Sequence, residues 1–179
     1  MAPGTALSVT GLAASVGVGL ILLGAGLGKL RHRALLPGVI ANYRLLPAAL
    51  VTPAAIALPL AEIAVGALLL GGVRPLPALL GIGLLVLFAL AMAINLLRGR
   101  AHISCGCGRN ELLQSLSWSL VVRNLALAAA LLPRLIEPAA LSMLDIATAI
   151  GAGASLWLAY GLLNIIGATA ASPASAFRR

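Results

Sequence analysis

The sequence predicts an all-α fold: a polytopic transmembrane bundle of four to five helices, built as a single integral membrane domain over residues 1–179. Three observations carry that expectation. Apolar residues make up 61% of the chain and charged residues only 9%, whereas roughly a quarter of a soluble domain is charged. The apolar residues fall into separate runs close to the roughly 20 residues that an α-helix needs to cross a bilayer. In hydrocarbon the backbone must satisfy its own hydrogen bonds within the segment, so runs of this kind are helices and not open strands.

The first span is residues 8–28, uncharged throughout. Residues 1–7 contain no Lys or Arg, and the first charge is Lys29. That is a poor n-region for a cleaved signal peptide, so the first apolar run reads as a retained helix. Gly24 and Gly28 lie four apart on one helix face, a spacing that lets helices approach closely. In a chain with 20 glycines the spacing carries no dimer-specific meaning. Residues 38–47, with Asn42-Tyr43-Arg44 between Pro37 and Pro47, read as an interfacial segment, because Tyr43 and Arg44 suit the headgroup zone.

The second span, residues 50–72, carries one charge, Glu62, with Gly66 one turn further on. The third, residues 76–97, is uncharged and has Asn95 near its end. The fourth, residues 116–132, contains Arg123 and is the shortest, so a helical lead-in over residues 111–115 is expected to lengthen it. The fifth, residues 145–166, has Asp145 at its start and Asn164 near its end. Trp118 and Trp157 read as helix-end or packing aromatics.

Charge placement separates function classes. The net charge is +8, from 12 basic and 4 acidic residues. The basic residues are scattered among apolar runs, which suits anchoring in a lipid bilayer and argues against nucleic acid as a partner. In a five-span arrangement Lys29, Arg31, Arg33, Arg44, Arg98, Arg100, Arg109, Arg178 and Arg179 share one side, and Arg74 and Arg134 the other. The positive-inside rule then places the N-terminus outside and the C-terminus in the cytoplasm of a multi-pass cell-membrane protein. The assignment depends on the number of crossings, because one miscounted span inverts everything after it.

Two features could carry chemistry. The first is Cys105-Gly106-Cys107, holding both cysteines of the chain in the loop between the third and fourth spans. Structural cysteines more naturally sit inside apolar helices as small hydrophobes. Here they flank a glycine, with Arg109 nearby to favour the thiolate that attacks disulfides. A disulfide across one residue is geometrically tight and hence exchangeable. Thiol–disulfide chemistry, metal binding and an incidental pair all remain open. His102 adds one possible ligand, but the set lacks the fourth ligand of a structural zinc site, and no metal is expected.

The second feature is the pair of intramembrane charges. Glu62 and Arg123 each lie about a dozen residues along spans entered from the same side, so an ion pair between them near mid-membrane is expected. Such a pair either locks the bundle or borders a cofactor pocket. Ser115, Ser119 and Arg123 are spaced four apart, Asn124 adjoins Arg123, and Asn95 precedes the cysteine loop. Together they suggest a polar seam from the cysteines toward the buried charge, although serines also satisfy themselves on the preceding turn.

Several short pieces occur in one order: Gly28-Lys29, then Asn42-Tyr43-Arg44-Leu45-Leu46-Pro47, Leu58-Pro59 with Glu62, and Asn95-Leu96-Leu97-Arg98-Gly99-Arg100. They continue with Ile103-Ser104-Cys105-Gly106-Cys107 and Leu116-Ser117-Trp118 leading to Val122-Arg123-Asn124. In these the chain resembles the methylamine-utilisation MauE family, within the DoxX-like group of small membrane proteins, over about residues 20–130. One departure is that the family commonly follows Cys-Gly-Cys with Phe-Gly, where this chain has Gly108-Arg109-Asn110.

The resemblance implies a membrane factor for maturation of the small, disulfide-rich subunit of methylamine dehydrogenase. That subunit carries a tryptophan-derived quinone and matures in the periplasm, assisted by a thioredoxin-like protein. The leading expectation is therefore a membrane protein supporting disulfide formation or maturation of an exported, disulfide-containing partner. Cys105 and Cys107 would exchange, Arg109 would tune the thiolate, and a quinone is a possible electron acceptor. The rivals are a small transporter using Glu62 and Arg123, and a noncatalytic assembly scaffold. Periplasmic maturation would place the cysteine loop outside, whereas the charge count places it inside.

Overall fold

A computed structural model describes residues 3–103, 115–136 and 140–170, without the side chains of Pro3 and residues 167–170. The described chain is helical: α1 (Pro3–Arg31), α2 (Leu36–Tyr43), α3 (Ala48–Leu70), α4 (Leu76–Leu97), α5 (Trp118–Ala130), a 3-10 turn (Leu132–Leu135) and α6 (Met143–Ala170). Five segments are long and apolar enough to cross a membrane: Gly4–Arg31, Ala48–Leu70, Leu76–Leu97, Trp118–Leu135 and Met143–Ile166. The interfacial segment is mostly α2, a short helix that stops where Arg44 adopts a left-handed conformation (φ 50°).

The fourth span gains its length at the end opposite to the one expected. Helix α5 begins at Trp118, and Ser115 lies before it, outside any helix. The Leu116 N–H donates to the Ile103 carbonyl at 3.2 Å, an extended pairing that a helical lead-in would not make. Residues 111–114 of that lead-in lie outside the described residues. The span is completed instead by the 3-10 turn Leu132–Leu135, where Pro133 tightens the last turn.

Helix α1 lies between α3 and α6, α3 continues the row to α4, and α4 packs on α5. Glycines set the closest approaches. A Cβ on Gly66 would lie 2.8 Å from the Gly19 carbonyl oxygen, and one on Gly26 would lie 2.8 Å from the Pro59 carbonyl oxygen. On the opposite face of α1, a Cβ on Gly153 of α6 would lie 2.6 Å from the Ala13 carbonyl oxygen. The small-residue packing expected of membrane helices is therefore present, but it uses Gly19 and Gly26. A Cβ added at Gly24 or Gly28 would have no neighbour within 4 Å outside its own helical turn.

The main core joins α1, α3, α4 and α5 through Val18, Leu22, Leu69, Leu85 and Leu127, with Leu131 just after α5. A second cluster, with Met92, Ile103, Leu116 and Val121, lies where α4 ends and α5 begins. The helices run alternately up and down, so the bundle has two ends. The first carries the start of α1 and the α3–α4 and α5–α6 connections. Arginines close it: Arg74 donates to the Arg134 carbonyl at 2.9 and 3.2 Å and to the Ile136 carbonyl, while buried Arg134 donates to the Gly72 carbonyl at 3.2 Å. Arg134 thus sets a cation at the negative end of α3, and Arg74 does the same at the end of the 3-10 turn. The α6 start is a capping box, with Ser142 Oγ accepting from the Asp145 N–H and the Asp145 carboxylate accepting from the Ser142 N–H at 2.9 Å.

Candidate functional site

The second end of the bundle gathers α2, the close of α4 and the start of α5. Gly99 adopts φ +71° after α4, its N–H reaches the Leu96 carbonyl at 3.0 Å, and the Arg100 N–H reaches the Asn95 carbonyl at 2.9 Å. This is a Schellman stop, for which glycine is the favoured residue at the left-handed position. It turns Arg100 back over its own helix. The guanidinium then donates to Asn95 Oδ1 at 2.9 Å, to the Asn42 carbonyl at 2.6 Å and to the Tyr43 carbonyl at 3.4 Å. One arginine thus caps α2, ties it to α4 and satisfies Asn95, whose side chain is fully buried and also donates to the Ala91 carbonyl. Two separated sequence pieces, Asn42-Tyr43 and Asn95 to Arg100, are physically one joint.

Below that joint lies the buried charge. Both oxygens of Glu62 accept from Lys29 Nζ, at 2.6 and 2.8 Å, with the two side chains 1% and 10% exposed. Lys29 Nζ also lies 5.4 Å from the centre of the Phe88 ring, a cation–π distance. The expected Glu62–Arg123 pair is therefore corrected. The reason is the face each residue presents: Glu62 turns toward α1, where a Cβ on Gly26 would lie 3.2 Å from its own Cβ, and Arg123 turns toward α6. Arg123 instead bonds Asn164 Oδ1 of α6 and lies 4.6 Å from the Tyr160 ring centre.

The other polar candidates go to separate partners. Asn124 is buried and donates to the Leu120 carbonyl at 2.8 Å, within its own helix. Ser119 is exposed and its hydroxyl pairs with that of Ser117 at 2.8 Å. With Ser115 outside the helix, the expected Ser115–Ser119–Arg123 stripe does not form, and the cysteine end of the expected polar seam lies outside the described residues. Cys105, Cys107 and Arg109 lie outside the described residues. The chain that carries them leaves at Ile103 and returns at Ser115, and the Ile103–Leu116 bond closes its base at the second end.

Sequence reasoning counted Lys29 as a loop charge and so missed its role. Helix α1 continues to Arg31, which keeps Lys29 on the Gly26 side where α3 approaches. Lys29 lies about one turn beyond Gly26 on α1, as Gly66 lies about one turn beyond Glu62 on α3, and these glycine–charge neighbours were the available signal. Between α1, α2, α3 and α4 the Lys29 side chain borders an apolar cavity of about 390 Å³, also lined by Tyr43, Ala57, Phe88, Ala91 and other residues.

These features define a small polytopic helical membrane protein with a buried ammonium–carboxylate pair beside an apolar cavity, at the end that bears the cysteine loop. The chain belongs to the family described as methylamine utilisation protein MauE, whose model matches residues 7–137. It is 41% identical over 157 residues to the methylamine utilization protein MauE of Paracoccus denitrificans, covering 86% of this chain and 84% of that one. It is 44% identical over 153 residues to the protein of the same name from Methylorubrum extorquens, covering 79% of each. It is 42% identical over 144 residues to that of Methylophilus methylotrophus, covering 79% of this chain and 76% of the relative. No solved structure matches the chain.

Proposed function

We propose that this chain is a membrane component of methylamine utilisation that supports maturation of an exported, disulfide-containing partner by thiol–disulfide exchange. The observation that carries the reading is the Cys105-Gly106-Cys107 pair, which lies within the matched family region and between Ile103 and Leu116, whose backbones pair. Exchange needs a thiolate free to approach a partner, and a loop at a bundle end offers that where a cysteine within a packed helix would not.

In the oxidised state, a partner thiolate attacks the Cys105–Cys107 disulfide and forms a mixed disulfide, releasing one loop thiolate. A second partner thiolate then attacks the mixed disulfide. The partner gains one disulfide, and the loop keeps both electrons and, on protonation, two thiols. A thioredoxin-like protein accepting those electrons by the same exchange resets the loop. Arg109, two residues beyond Cys107, favours the thiolate form. The transporter reading is less well supported, because Glu62 and Arg123 do not meet and have different partners, Lys29 and Asn164.

The test is a trap. In Cys105→Ser or Cys107→Ser the remaining thiol cannot be resolved internally, so a mixed disulfide with an exported or thioredoxin-like protein should accumulate on nonreducing gels and vanish with reductant. A trap with no such partner, under conditions of active methylamine growth, rejects exchange. Direct exchange with an exported protein also requires the second end to face outward, although its basic residues Arg31, Arg33, Arg44 and Arg98 favour the cytoplasm. Labelling of Cys105 and Cys107 by a membrane-impermeant maleimide in intact cells supports direct exchange. Labelling only after permeabilisation rejects it.

A further inference from the structure

We propose that the side of the bundle between α5 and α6 docks a membrane-spanning helix of a second protein, whose Asp or Glu carboxylate pairs with Arg123. The inference stands on Arg123 and its surroundings and does not rest on the cysteine reading.

Arg123 is a cation within a span that no carboxylate neutralises among the described residues. Its guanidinium donates to the neutral Asn164 amide and lies 4.6 Å from the Tyr160 ring centre. Its Nε is buried and has no hydrogen-bond partner among the described residues. Charges kept inside a membrane are paired with one another or face a polar path. The chain has four acidic residues. Glu62 is 1% exposed and held by Lys29, and Asp145 caps the start of α6 at the first end. Glu111 and Glu137 lie outside the described residues. A second copy of the chain therefore offers no available carboxylate from its described spans, and the anion falls to a different partner.

The surface around Arg123 suits a helix. Helix α6 packs on α1 and α5 packs on α4, so the Arg123 bond and ring contact bridge two helices that otherwise stand apart. Ser119 and Ala126 lie about one turn before and after Arg123, and both are exposed. Gly161 lies about one turn before Asn164, and a Cβ there would meet nothing within 4 Å. Small residues beside a polar group let a further helix backbone approach closely and bond across the contact.

Depth favours a carboxylate on a helix over a lipid phosphate. A Cβ on Gly81 of α4 would lie 3.1 Å from Leu131 Cδ1, which fixes the register of α4 against the end of α5. Arg123 is about 12 Å nearer the second end than Leu131, and about 12 Å of α4 continues beyond that level. The charge thus sits within the hydrocarbon layer, below the phosphates.

The test uses the purified full-length chain in phosphatidylcholine vesicles with a synthetic leucine–alanine helix of about 22 residues. The helix carries a dansyl group and one central Glu, or Gln in its place. Energy transfer from Trp118 on α5 and Trp157 on α6 reports association. The Glu helix should associate at least about tenfold more tightly than the Gln helix, as close charge pairs do across interfaces. Arg123→Met should remove the difference, and Arg123→Lys should keep part of it. Equal association of the two helices overturns the proposal, as does a difference that survives Arg123→Met. A preference that appears only in Glu111→Gln shows that the chain's own loop supplies the anion. One that vanishes when phosphatidylglycerol replaces part of the phosphatidylcholine shows that a lipid does, and either result overturns the docking. The Glu-against-Gln comparison needs no variant, so a variant that fails to fold leaves the test decisive.

Discussion

Replacing Lys29 by Met leaves the Glu62 carboxyl buried in an apolar setting with its two hydrogen bonds removed. The side chain is 1% exposed, and both oxygens depend on Lys29 at 2.6 and 2.8 Å. Removing one partner of a buried pair typically costs about 3–5 kcal/mol. Protonation offers Glu62 an escape, so the lower limit, about 3 kcal/mol, is expected. Glu62→Met should cost less, because Lys29 lies two residues from the end of α1 and its flexible stem can carry the ammonium toward the interface. The double variant Lys29→Met with Glu62→Met should return to within about 1 kcal/mol of the parent, since apolar replacement of a whole buried pair is often neutral. Unfolding in mixed micelles by increasing dodecyl sulfate, followed by helical circular dichroism, measures all four proteins. A parallel cycle between Glu62 and Arg123 should be additive within about 0.5 kcal/mol. A double variant as unstable as the sum of its singles, or strong coupling of Glu62 to Arg123, refutes the assignment.

Three further outcomes follow from the same geometry. Gly66→Ala places a Cβ 2.8 Å from the Gly19 carbonyl and 3.0 Å from the Leu23 backbone nitrogen, so it should cost about 1–3 kcal/mol by the same unfolding assay. Gly24→Ala, with nothing within 4 Å, should stay within about 0.5 kcal/mol. Arg100→Ala should cost about 1–3 kcal/mol and speed hydrogen exchange in α2, and Arg100→Lys should not rescue it, because an ammonium lacks the planar fork that reaches Asn42, Tyr43 and Asn95 together. Asn164→Leu should weaken the α5–α6 contact by about 0.6–1.7 kcal/mol, and Asn164→Gln should restore part of it.

Span positions were legible because bilayer thickness imposes a length on apolar runs, and α4 begins and ends at the expected Leu76 and Leu97. The side-chain partners were not. Which residue meets Glu62 depends on how α1 and α3 rotate about their axes, and hydropathy carries no such information. The same rotation selects Gly19 and Gly26 over the more conspicuous Gly24 and Gly28 as packing sites. The partner of Arg123 was misread for the same reason, since it bonds Asn164 of α6 and not Glu62. Arg100 was counted as a membrane-side charge, yet the Gly99 turn makes it a joint between helices.

The central claim is that Cys105 and Cys107 form a working redox pair. The most direct measurement is the mass shift with a maleimide–polyethylene glycol in native membranes from methylamine-grown cells, before and after reduction. The account predicts that a fraction of the chains resists labelling until reduced and then gains two adducts, with intermediate mixed-disulfide species in the single Cys→Ser variants. Two thiols that are wholly reduced and unreactive in the native membrane would contradict it.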